Sequence, residues 1–314
     1  MVSVPKFPPI PRLSIIVPIG RDLAAFERTL ISVLENQPAD CEILVAHDGN
    51  YDDPFQLCDE LRFVIADSNA TVDLVSAGVA EARGRFVHVL ADGIRATAGW
   101  ADAAVEKFEH FDAGAVAPII RHAATQKIIA AGWGDAGDRL CQPAWQGRDE
   151  VGTNPPKLIG AYLQASFWRR EVIRSLADAF TGRESAEAAY AYEHLMRAAG
   201  WRCVLATECN LLNDSTTLPW DSTSFGRGKR LRAVRNHFLH QGILSRTISI
   251  ASSAVLASLS RPRNLVEAFG QAAAPLAARR LVNQLRPEAV TRCNDQQMIV
   301  TLPQRSNTNS RQAA

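Results

Sequence analysis

The sequence predicts an α/β fold with a mostly parallel sheet that carries helices on both faces. Two observations lead to this prediction. Short apolar runs alternate along the chain with segments whose apolar residues recur at helical spacing, and such alternation is typical of βαβ units. The 314 residues are also 47% hydrophobic and 21% charged, which is the composition of a folded globular protein with a large core.

Strands and helices alternate regularly in the first third of the chain. The run Leu13-Ser-Ile-Ile-Val-Pro18 is nearly continuously apolar and ends at proline, as expected for a strand buried on both faces. Apolar residues at helical spacing then predict a helix over residues 23–34. The same criteria predict further strands at residues 42–46, 63–66 and 86–90, and helices at 72–82 and 100–111.

The rest of the chain is less regular. Strand pieces are predicted at residues 117–120 and 127–129, before a stretch rich in Gly and Trp that ends near residue 156. A helix over residues 184–199 is expected to stop at Gly200, before a closing strand at 201–206. Beyond it, residues 225–286 combine many Arg with apolar residues at helical spacing, and the polar residues 301–314 are expected to be disordered.

The charge balance and the cysteines limit the possible partners and compartments. The chain has 34 Lys+Arg and 33 Asp+Glu, a net charge of +1, so no overall field attracts nucleic acid. Its six cysteines are scattered without a C-x-x-C pair, and no apolar run approaches the roughly 20 residues that span a bilayer. The start also lacks the layout of a secretory signal. These features predict a cytoplasmic protein with reduced thiols.

The loops that follow the predicted strands are the expected ligand site, because ligands of parallel sheets bind beyond the carboxyl ends of the strands. These loops are residues 18–22, 47–53, 67–73 and 91–99. Two of them contain an Asp-Gly pair, Asp48-Gly49 and Asp92-Gly93. Each pair has two interpretations, since a carboxylate at a strand end binds ligands and Asp-Gly is also a common turn.

The strand ends also carry a series of motifs that resembles the family-2 glycosyltransferases. Leu13-Ser-Ile-Ile-Val-Pro18 resembles the opening strand of that family, and Glu42-Ile-Leu-Val-Ala-His-Asp-Gly-Asn50 resembles its strand ending in Asp-Asp-Gly-Ser. Val89-Leu-Ala-Asp-Gly93, followed by Gly99-Trp100, stands where the family has Asp-x-Asp and a Gly-Trp pair. The order and spacing of these motifs are similar over residues 13–112, and more loosely over 158–212.

The resemblance implies a GT-A fold and an inverting hexosyltransferase that moves a sugar from a nucleotide-diphosphate donor to a hydroxyl of a glycan or lipid-linked acceptor, as in polysaccharide biosynthesis. It also implies a glycosyltransferase domain at residues 10–215, with a nucleotide-binding half (10–115) and an acceptor half (116–215). A helical extension at residues 216–300 and the tail at 301–314 would follow. No dinucleotide-type Gly-x-Gly-x-x-Gly follows the first strand, which argues against an oxidoreductase.

By the same resemblance, Pro18 and Ile19 line the nucleotide slot. Asp48 accepts hydrogen bonds from the base or ribose, and Asp92 binds the ribose or a divalent cation, Mg²⁺ or Mn²⁺. Carboxylates suit this role because a nucleoside diphosphate leaves readily only when its developing charge is neutralised.

Three departures from the family pattern support a second hypothesis. Leu90 replaces the first Asp of Asp-x-Asp, His47 replaces the first Asp of Asp-Asp-Gly-Ser, and the Glu-Asp pair of the family is absent. In addition, Asn213-Asp214 stands where the family often has a metal-binding His, so metal binding depends on Asp92 alone. The alternative is therefore a catalytically weak GT-A domain that acts as a nucleotide-sugar or glycan-binding accessory protein.

The catalytic base is expected in the helix that ends at Gly200. The family places a Glu-Asp pair near the start of this helix, but the pair is absent here. Counting back from Gly200 favours Glu187 as the base, and the alternative assignment of Glu193-His194 to the degenerate pair favours Glu193. Either glutamate is otherwise interpreted as part of a solvated helix face.

The segment Arg227-Gly-Lys-Arg-Leu-Arg-Ala-Val-Arg235 is basic and predicted to be helical. Three interpretations are open: it grips a diphosphate, it rests on anionic lipid headgroups, or it is a solvated helix. The second predicts a peripheral contact of the C-terminal basic helices with the inner face of the membrane.

Overall fold

The computed structural model describes residues 10–54, 56–110, 112–136, 139–152, 160–239, 251–252, 255 and 264–293. The first part of the chain forms, in order, β1 (Leu13–Pro18), α1 (Leu23–Glu35), β2 (Cys41–His47), β3 (Arg62–Ile65), α2 (Thr71–Glu81), β4 (Phe86–Val89), β5 (Ile94–Arg95) and α3 (Trp100–Glu106). The alternation of strands and helices predicted for this part is confirmed.

The second part begins with the strands β6 (Ala113–His122), β7 (Ile128–Ala131), β8 (Trp133–Gly134), β9 (Gln142–Pro143) and β10 (Phe167–Arg169). It continues with α4 (Arg170–Ala179), α5 (Ser185–Ala198), β11 (Arg202–Asn213), α6 (Phe225–Leu239), α7 (Leu265–Ala272) and α8 (Pro275–Gln284). The tail predicted at residues 301–314 lies outside the described residues.

The main sheet has the strand order β3-β2-β1-β4-β10-β6-β11-β5, with β7 paired to β6. The strands β1 to β4 are parallel to one another, and β6 is parallel to β11. The short strand β10 lies antiparallel between β4 and β6 and joins the two parallel groups. The predicted mostly parallel sheet is therefore confirmed, and the loops after β1, β2, β3 and β4 leave the same edge of it.

β1 lies at the centre of the first parallel group. Leu13 pairs with Cys41 on one side and with Phe86 on the other, and every residue of β1 and β2 is buried. The apolar face of α1 covers these strands with Phe26, Leu30 and Val33. The nearly continuous apolar sequence of β1 follows from this position, because a strand covered on both faces has no side exposed to water.

The C-terminal helices pack closely on each other and on the sheet-containing part. A side chain at Gly228 of α6 or at Gly270 of α7 would collide with the backbone of the facing helix. Glu267 of α7 is fully buried and forms ion pairs with Arg227 at 2.5 Å and with Arg139 at 3.2 Å. Arg139 also pairs with Asp221 at 2.8 Å. These charges join α6 and α7 to the segment before β9.

Two predicted elements differ from the structure in extent. The closing strand, predicted over residues 201–206, continues to Asn213 because β11 pairs along β6 as far as His122, with a register shift after Leu205. The helix predicted over 100–111 is α-helical only to Glu106 and then tightens into a 3₁₀ turn at Lys107–Glu109.

Candidate functional site

A cavity of about 200 Å³ opens at the carboxyl ends of β1 and β2. It is lined by the loops that follow β1, β2 and β3, and its lining residues are Ile19, Gly20, Arg21, Leu23, His47, Asp48, Asn50, Tyr51 and Asn69. We call it the β1–β2 cavity. Its position is the one expected for a ligand of a parallel sheet.

Aromatic rings form one side of the β1–β2 cavity. Tyr51 stacks on Phe63, with ring centroids 5.9 Å apart, and contacts Phe26 edge to face at 5.6 Å. His47 contacts Phe63 edge to face at 6.0 Å. Among the described residues the buried Tyr51 hydroxyl has no hydrogen-bond partner, and burial raises the pKa of this phenol. The cavity thus offers the aromatic ring of Tyr51, but not its buried hydroxyl, to a planar ligand.

Asp48 lies in the lining of the β1–β2 cavity, as the sequence predicted for a ligand-binding residue. One of its carboxylate oxygens, Oδ1, accepts a hydrogen bond from the Asn50 backbone N–H at 3.2 Å. Gly49 follows with a positive φ of 92°. Asp48 therefore both caps the turn and lines the cavity. A carboxylate can do both because it has more acceptor sites than one turn uses.

Asp92 lies behind Gly20 and outside the residues that line the β1–β2 cavity. A Cβ atom at Gly20 would lie 2.7 Å from the Asp92 Cγ atom, so the carboxylate rests against the bare glycine backbone. Burial, and next the charge of Asp22, raise the pKa of Asp92. The predicted pair Asp48 and Asp92 is thus connected through Gly20, which contacts Asp92 on one side and faces the cavity on the other.

Of the other residues predicted on the nucleotide side, one lines the cavity and the others do not. Ile19 lines the cavity, whereas Pro18 is the buried last residue of β1. Leu90 is fully buried in the core, so it contributes only packing at the position of the missing carboxylate. Asn213 points toward the loop of Gly93, with its Nδ2 atom 4.0 Å from an ideal Cβ there, and its Oδ1 atom accepts from the Ser215 N–H.

A resident metal site would need more ligands than this region provides. The described part of the chain contains no group of three or more His, Cys, Asp and Glu side chains that could hold an ion. Asp92 and Asp22 are nevertheless close enough for their charges to interact. One or two carboxylates suffice for Mg²⁺ when substrate phosphates and water complete its coordination. The residues therefore fit a cation that arrives with a diphosphate.

Glu187 lies in the first turn of α5 and is 5% exposed. Its carboxylate pairs with the Arg230 Nε atom at 3.4 Å. Burial raises the pKa of Glu187, while Arg230 and then Arg280 oppose the rise. A polar cavity of about 180 Å³ adjoins this end of α5 and is lined by Glu184, Ser185, Ala186, Trp220, Ser222, Ser224, Arg227 and Arg230. We call it the α5 cavity.

Glu193 lies farther along α5 and has different surroundings. It is 2% exposed and pairs with Arg197 at 2.6 Å. Burial raises its pKa to about 8 although Arg197 opposes the rise. Glu193 is absent from the lining of both cavities described above. Neither glutamate lines either of these two cavities or lies on a solvated helix face. Glu187 is connected to the α5 cavity through the lining residue Arg230, with which it pairs.

The basic segment of α6 points mainly inward. Arg227 and Arg232 are 5% and 1% exposed, and Arg227 pairs with Glu267. Arg230 pairs with Glu184 and Glu187, and Arg235 pairs with Asp135 at 2.7 Å. The interpretation of this segment as a solvated helix is wrong, and these four arginines are engaged with carboxylates or buried rather than free for lipid.

Several lining residues were not singled out from the sequence. Tyr51 and Asn69 lie in loops that were predicted to bind ligands, but no motif distinguished them from their neighbours. Trp220 and Ser222 lie between β11 and α6, where the sequence shows no strand-end signal. They reach the α5 cavity only through the packing of α6 on α5.

No known family model and no curated protein matches this sequence. Solved structures do match the fold. The mannosyltransferase PcManGT from Pyrobaculum calidifontis, in complex with GDP-Man and Mn²⁺, is 14% identical, with 86% of this chain and 87% of that chain covered and a TM-score of 0.50. Residues 1–349 of S. aureus TarS in complex with UDP are 13% identical, with 80% and 73% covered and a TM-score of 0.53.

A third match is GalNAc-T7 with UDP, GalNAc and Mn²⁺. It is 11% identical, with 81% of this chain and 55% of that chain covered, and the TM-score is 0.52. Identities this low establish a shared fold. What the chain does must be argued from its own site residues.

Proposed function

Because the chain has the GT-A glycosyltransferase fold, we propose that it transfers a sugar from a nucleotide-diphosphate donor to a hydroxyl of a glycan or lipid-linked acceptor. The β1–β2 cavity carries this proposal. It combines an aromatic side, a ligand-facing carboxylate and a loop that touches Asp92, all at the sheet edge where ligands of this class of fold bind. Family-2 membership and hexosyl transfer are part of the proposal.

The donor's nucleoside occupies the β1–β2 cavity. Its planar base stacks against the ring of Tyr51, which Phe63 supports by stacking on it. Asp48 accepts a hydrogen bond from the ribose or the base, using the carboxylate acceptor sites that are not occupied by the Asn50 N–H. Ile19 contributes an apolar wall. The complexes of PcManGT with GDP-Man and of TarS with UDP support a nucleotide in this type of fold.

The diphosphate lies toward Asp92 and Asp22. A divalent cation bound there with the diphosphate would neutralise the charge that develops on the leaving group. Asp92 suits this role because its carboxylate is held against Gly20 and lies near the carboxylate of Asp22. A cation between them would reduce the repulsion of these two negative charges. The presence of Mn²⁺ with GDP-Man in the PcManGT structure and with UDP in the GalNAc-T7 structure supports a divalent cation as part of this proposal.

Glu187 is the proposed base. It takes the proton of the acceptor hydroxyl while the hydroxyl oxygen bonds to the anomeric carbon and the bond to the diphosphate breaks on the opposite face, which inverts the configuration. Burial raises its pKa toward neutral pH, where a carboxylate accepts protons more effectively. The α5 cavity beside it offers Trp220 and several hydroxyl and charged groups to an acceptor.

A second candidate function is a GT-A domain that binds a nucleotide sugar or glycan with little turnover. Two observations favour it. Leu90 is buried where the family pattern has a carboxylate, and Glu187 is held by Arg230 rather than free.

A thermal-shift panel with UDP-, GDP- and dTDP-sugars, with and without Mn²⁺, tests the donor class, since a ligand that binds only the folded state raises the melting temperature. Release of the nucleoside diphosphate is then measured with and without EDTA. Stabilisation with turnover that Asp92→Ala abolishes supports the transferase. Stabilisation without turnover on any acceptor supports the accessory role, and no stabilisation by any donor contradicts both.

A further inference from the structure

The charges of the chain are segregated along its length, although their sum is nearly zero. Residues 1–215 contain 20 Lys+Arg and 29 Asp+Glu, whereas residues 216–314 contain 14 Lys+Arg and only 4 Asp+Glu. The C-terminal part is therefore strongly basic and the rest is acidic. Part of this positive charge is neutralised within the chain, because the α6 arginines pair with carboxylates. The arginines that remain exposed are the ones that an anionic partner would meet.

Large apolar side chains are exposed on α7 and α8. On α7, Val266 and Phe269 are 52% and 63% exposed, three residues apart on one helix face. On α8, Leu276 and Val282 are 80% and 56% exposed. Both helices pack on α6, and we call these four exposed side chains together the α7–α8 apolar surface. The opposite faces of both helices are buried, with Ala268 on α7 and Leu281 on α8.

Basic side chains lie next to the exposed apolar residues of α8. Arg279, Arg280 and Arg286 are exposed on or just after α8, within a few residues of Leu276 and Val282. They differ in this from the arginines of α6, which are buried or paired with carboxylates. Among the helices that the structure describes, none has the length and apolar character of a membrane span.

We infer that the α7–α8 apolar surface docks on an anionic lipid surface. The apolar side chains enter the boundary between headgroups and acyl chains, and the arginines beside them contact lipid phosphates. The exposed arginines favour anionic lipid over a second copy of the chain as the occupant of this surface. Two copies that meet at this surface would bring their exposed arginines together, whereas anionic lipid attracts them.

This inference bears on the acceptor but does not depend on the proposed function. Arg280 is close enough to Glu187 to lower its pKa, so α8 lies near the proposed base. A lipid surface at α7 and α8 would thus bring a lipid-linked acceptor close to the α5 cavity. Vesicle binding itself is measurable without donor or acceptor, so its failure and the failure of the transferase proposal are distinguishable.

The test is co-sedimentation of the full chain with vesicles of pure phosphatidylcholine and with vesicles that contain about 30% phosphatidylglycerol. The wild-type chain is expected to sediment with the anionic vesicles. Binding should weaken when salt shortens the Debye length from about 10 Å to about 3 Å. The double variant Phe269→Ser, Leu276→Ser should lower vesicle binding by about tenfold or more, because two large apolar groups no longer enter the lipid.

A second double variant, Arg279→Gln with Arg286→Gln, should lower binding to anionic vesicles and remove most of the salt dependence. Matched controls lie on α1, where Ile31 is 53% exposed and Arg28 is also exposed. Ile31→Ser with Arg28→Gln should bind like the wild type. All variants are first compared by melting temperature, so that loss of folding is not scored as loss of docking.

Three results would overturn the inference. One is a wild-type chain that stays in solution with anionic vesicles at low salt. Another is equal vesicle binding by the wild type and both α7–α8 variants. The third is a dimer, seen by light scattering, that Phe269→Ser with Leu276→Ser dissociates while no vesicle binding occurs, which would assign the surface to a second copy of the chain.

Discussion

The Asp92 carboxylate lies directly against Gly20, at a distance that leaves no room for a side chain there. A Cβ at Gly20 would lie 2.8 Å from one of its oxygens and 2.7 Å from its Cγ atom. The loop after β4 therefore touches the loop after β1, and Gly20 also lines the β1–β2 cavity. This contact is the structural link between the two acidic strand ends, Asp48 and Asp92.

Replacement of Gly20 by alanine should displace Asp92 and weaken donor binding. A methyl group there forces the carboxylate to move, and misplaced supporting groups commonly cost about 10–100-fold in affinity or activity. Calorimetric titration of the stabilising donor with the Gly20→Ala variant measures the loss. Gly152→Ala is the control, since the nearest atom to its Cβ is 3.9 Å away. Equal donor affinity in both variants would show that the position of Asp92 does not matter for the donor.

Glu187→Gln and Glu193→Gln should separate the two candidate bases. Loss of a general base typically lowers the rate about 10²–10⁴-fold, so Glu187→Gln should abolish most transfer while donor affinity stays near the wild-type value. Glu193 has a pKa raised to about 8 and is buried against Arg197, so its replacement should leave the transfer rate nearly unchanged. Initial rates of nucleoside diphosphate release, measured with acceptor present, decide the assignment, and a rate lost only in Glu193→Gln would reverse it.

The buried ion pairs of Glu267 should contribute strongly to the stability of the C-terminal helices. Glu267→Gln leaves Arg139 and Arg227 with one carboxylate instead of two, and loss of one partner of a buried ion pair typically costs about 3–5 kcal/mol. Urea unfolding monitored by circular dichroism measures this loss.

The control for Glu267 is the exposed pair of Arg95 and Asp214, whose side chains are 32% and 62% exposed. Asp214→Asn should cost less than about 1 kcal/mol, because water screens such pairs. A cost for Glu267→Gln no larger than that for Asp214→Asn would mean that the buried cluster does not stabilise the fold.

His88 should make the fold less stable in mild acid. Its ring is fully buried between Trp100 and Phe167, and burial lowers its pKa well below the ordinary 6.5. Below pH 6.5 the unfolded chain therefore binds a proton that the folded chain does not, and the free energy of unfolding falls as the pH falls. This contribution is fully present above that pH and is lost at up to about 1.4 kcal/mol per pH unit below it.

Unfolding of His88→Leu, measured at several pH values between neutral and mildly acidic, tests this. The variant should lose stability less steeply toward acid than the wild type, whatever its stability at neutral pH. His194, with a pKa lowered to about 4, contributes in the same direction and remains in both proteins. Exposed His110→Gln controls for the loss of one histidine. Identical slopes in wild type and His88→Leu would contradict the prediction.

The sequence predicted the first parallel group well because its signals are local. β1 and β2 are mostly apolar and are buried over their whole length. In contrast, β10 has only three residues, and its place between β4 and β6 depends on pairing with distant strands. No periodicity over three residues identifies such a strand.

The site was predictable in position but not in detail. Four loops were expected to bind a ligand, and those after β1, β2 and β3 line the β1–β2 cavity. The fourth, after β4, does not line it and reaches it only through the contact of Asp92 with Gly20. The role of Tyr51 depends on its stacking with Phe63 across a loop. The interpretation of the α6 arginines as a solvated face failed because their partners, such as Asp135 and Glu267, come from distant segments. The sequence identifies these arginines, but the carboxylates that pair with them are known only from the tertiary structure.

The most direct test of the proposed donor site is to measure which backbone amides a nucleotide protects from hydrogen exchange. Exchange is measured by mass spectrometry with and without UDP, GDP or dTDP, in the presence of Mn²⁺. The account predicts slower exchange in residues 18–22, 47–53 and 67–73, with a smaller effect at 91–95, because these loops surround the β1–β2 cavity and Asp92. Protection confined to α6, α7 or α8, with no change in these loops, would contradict the assignment of the donor site.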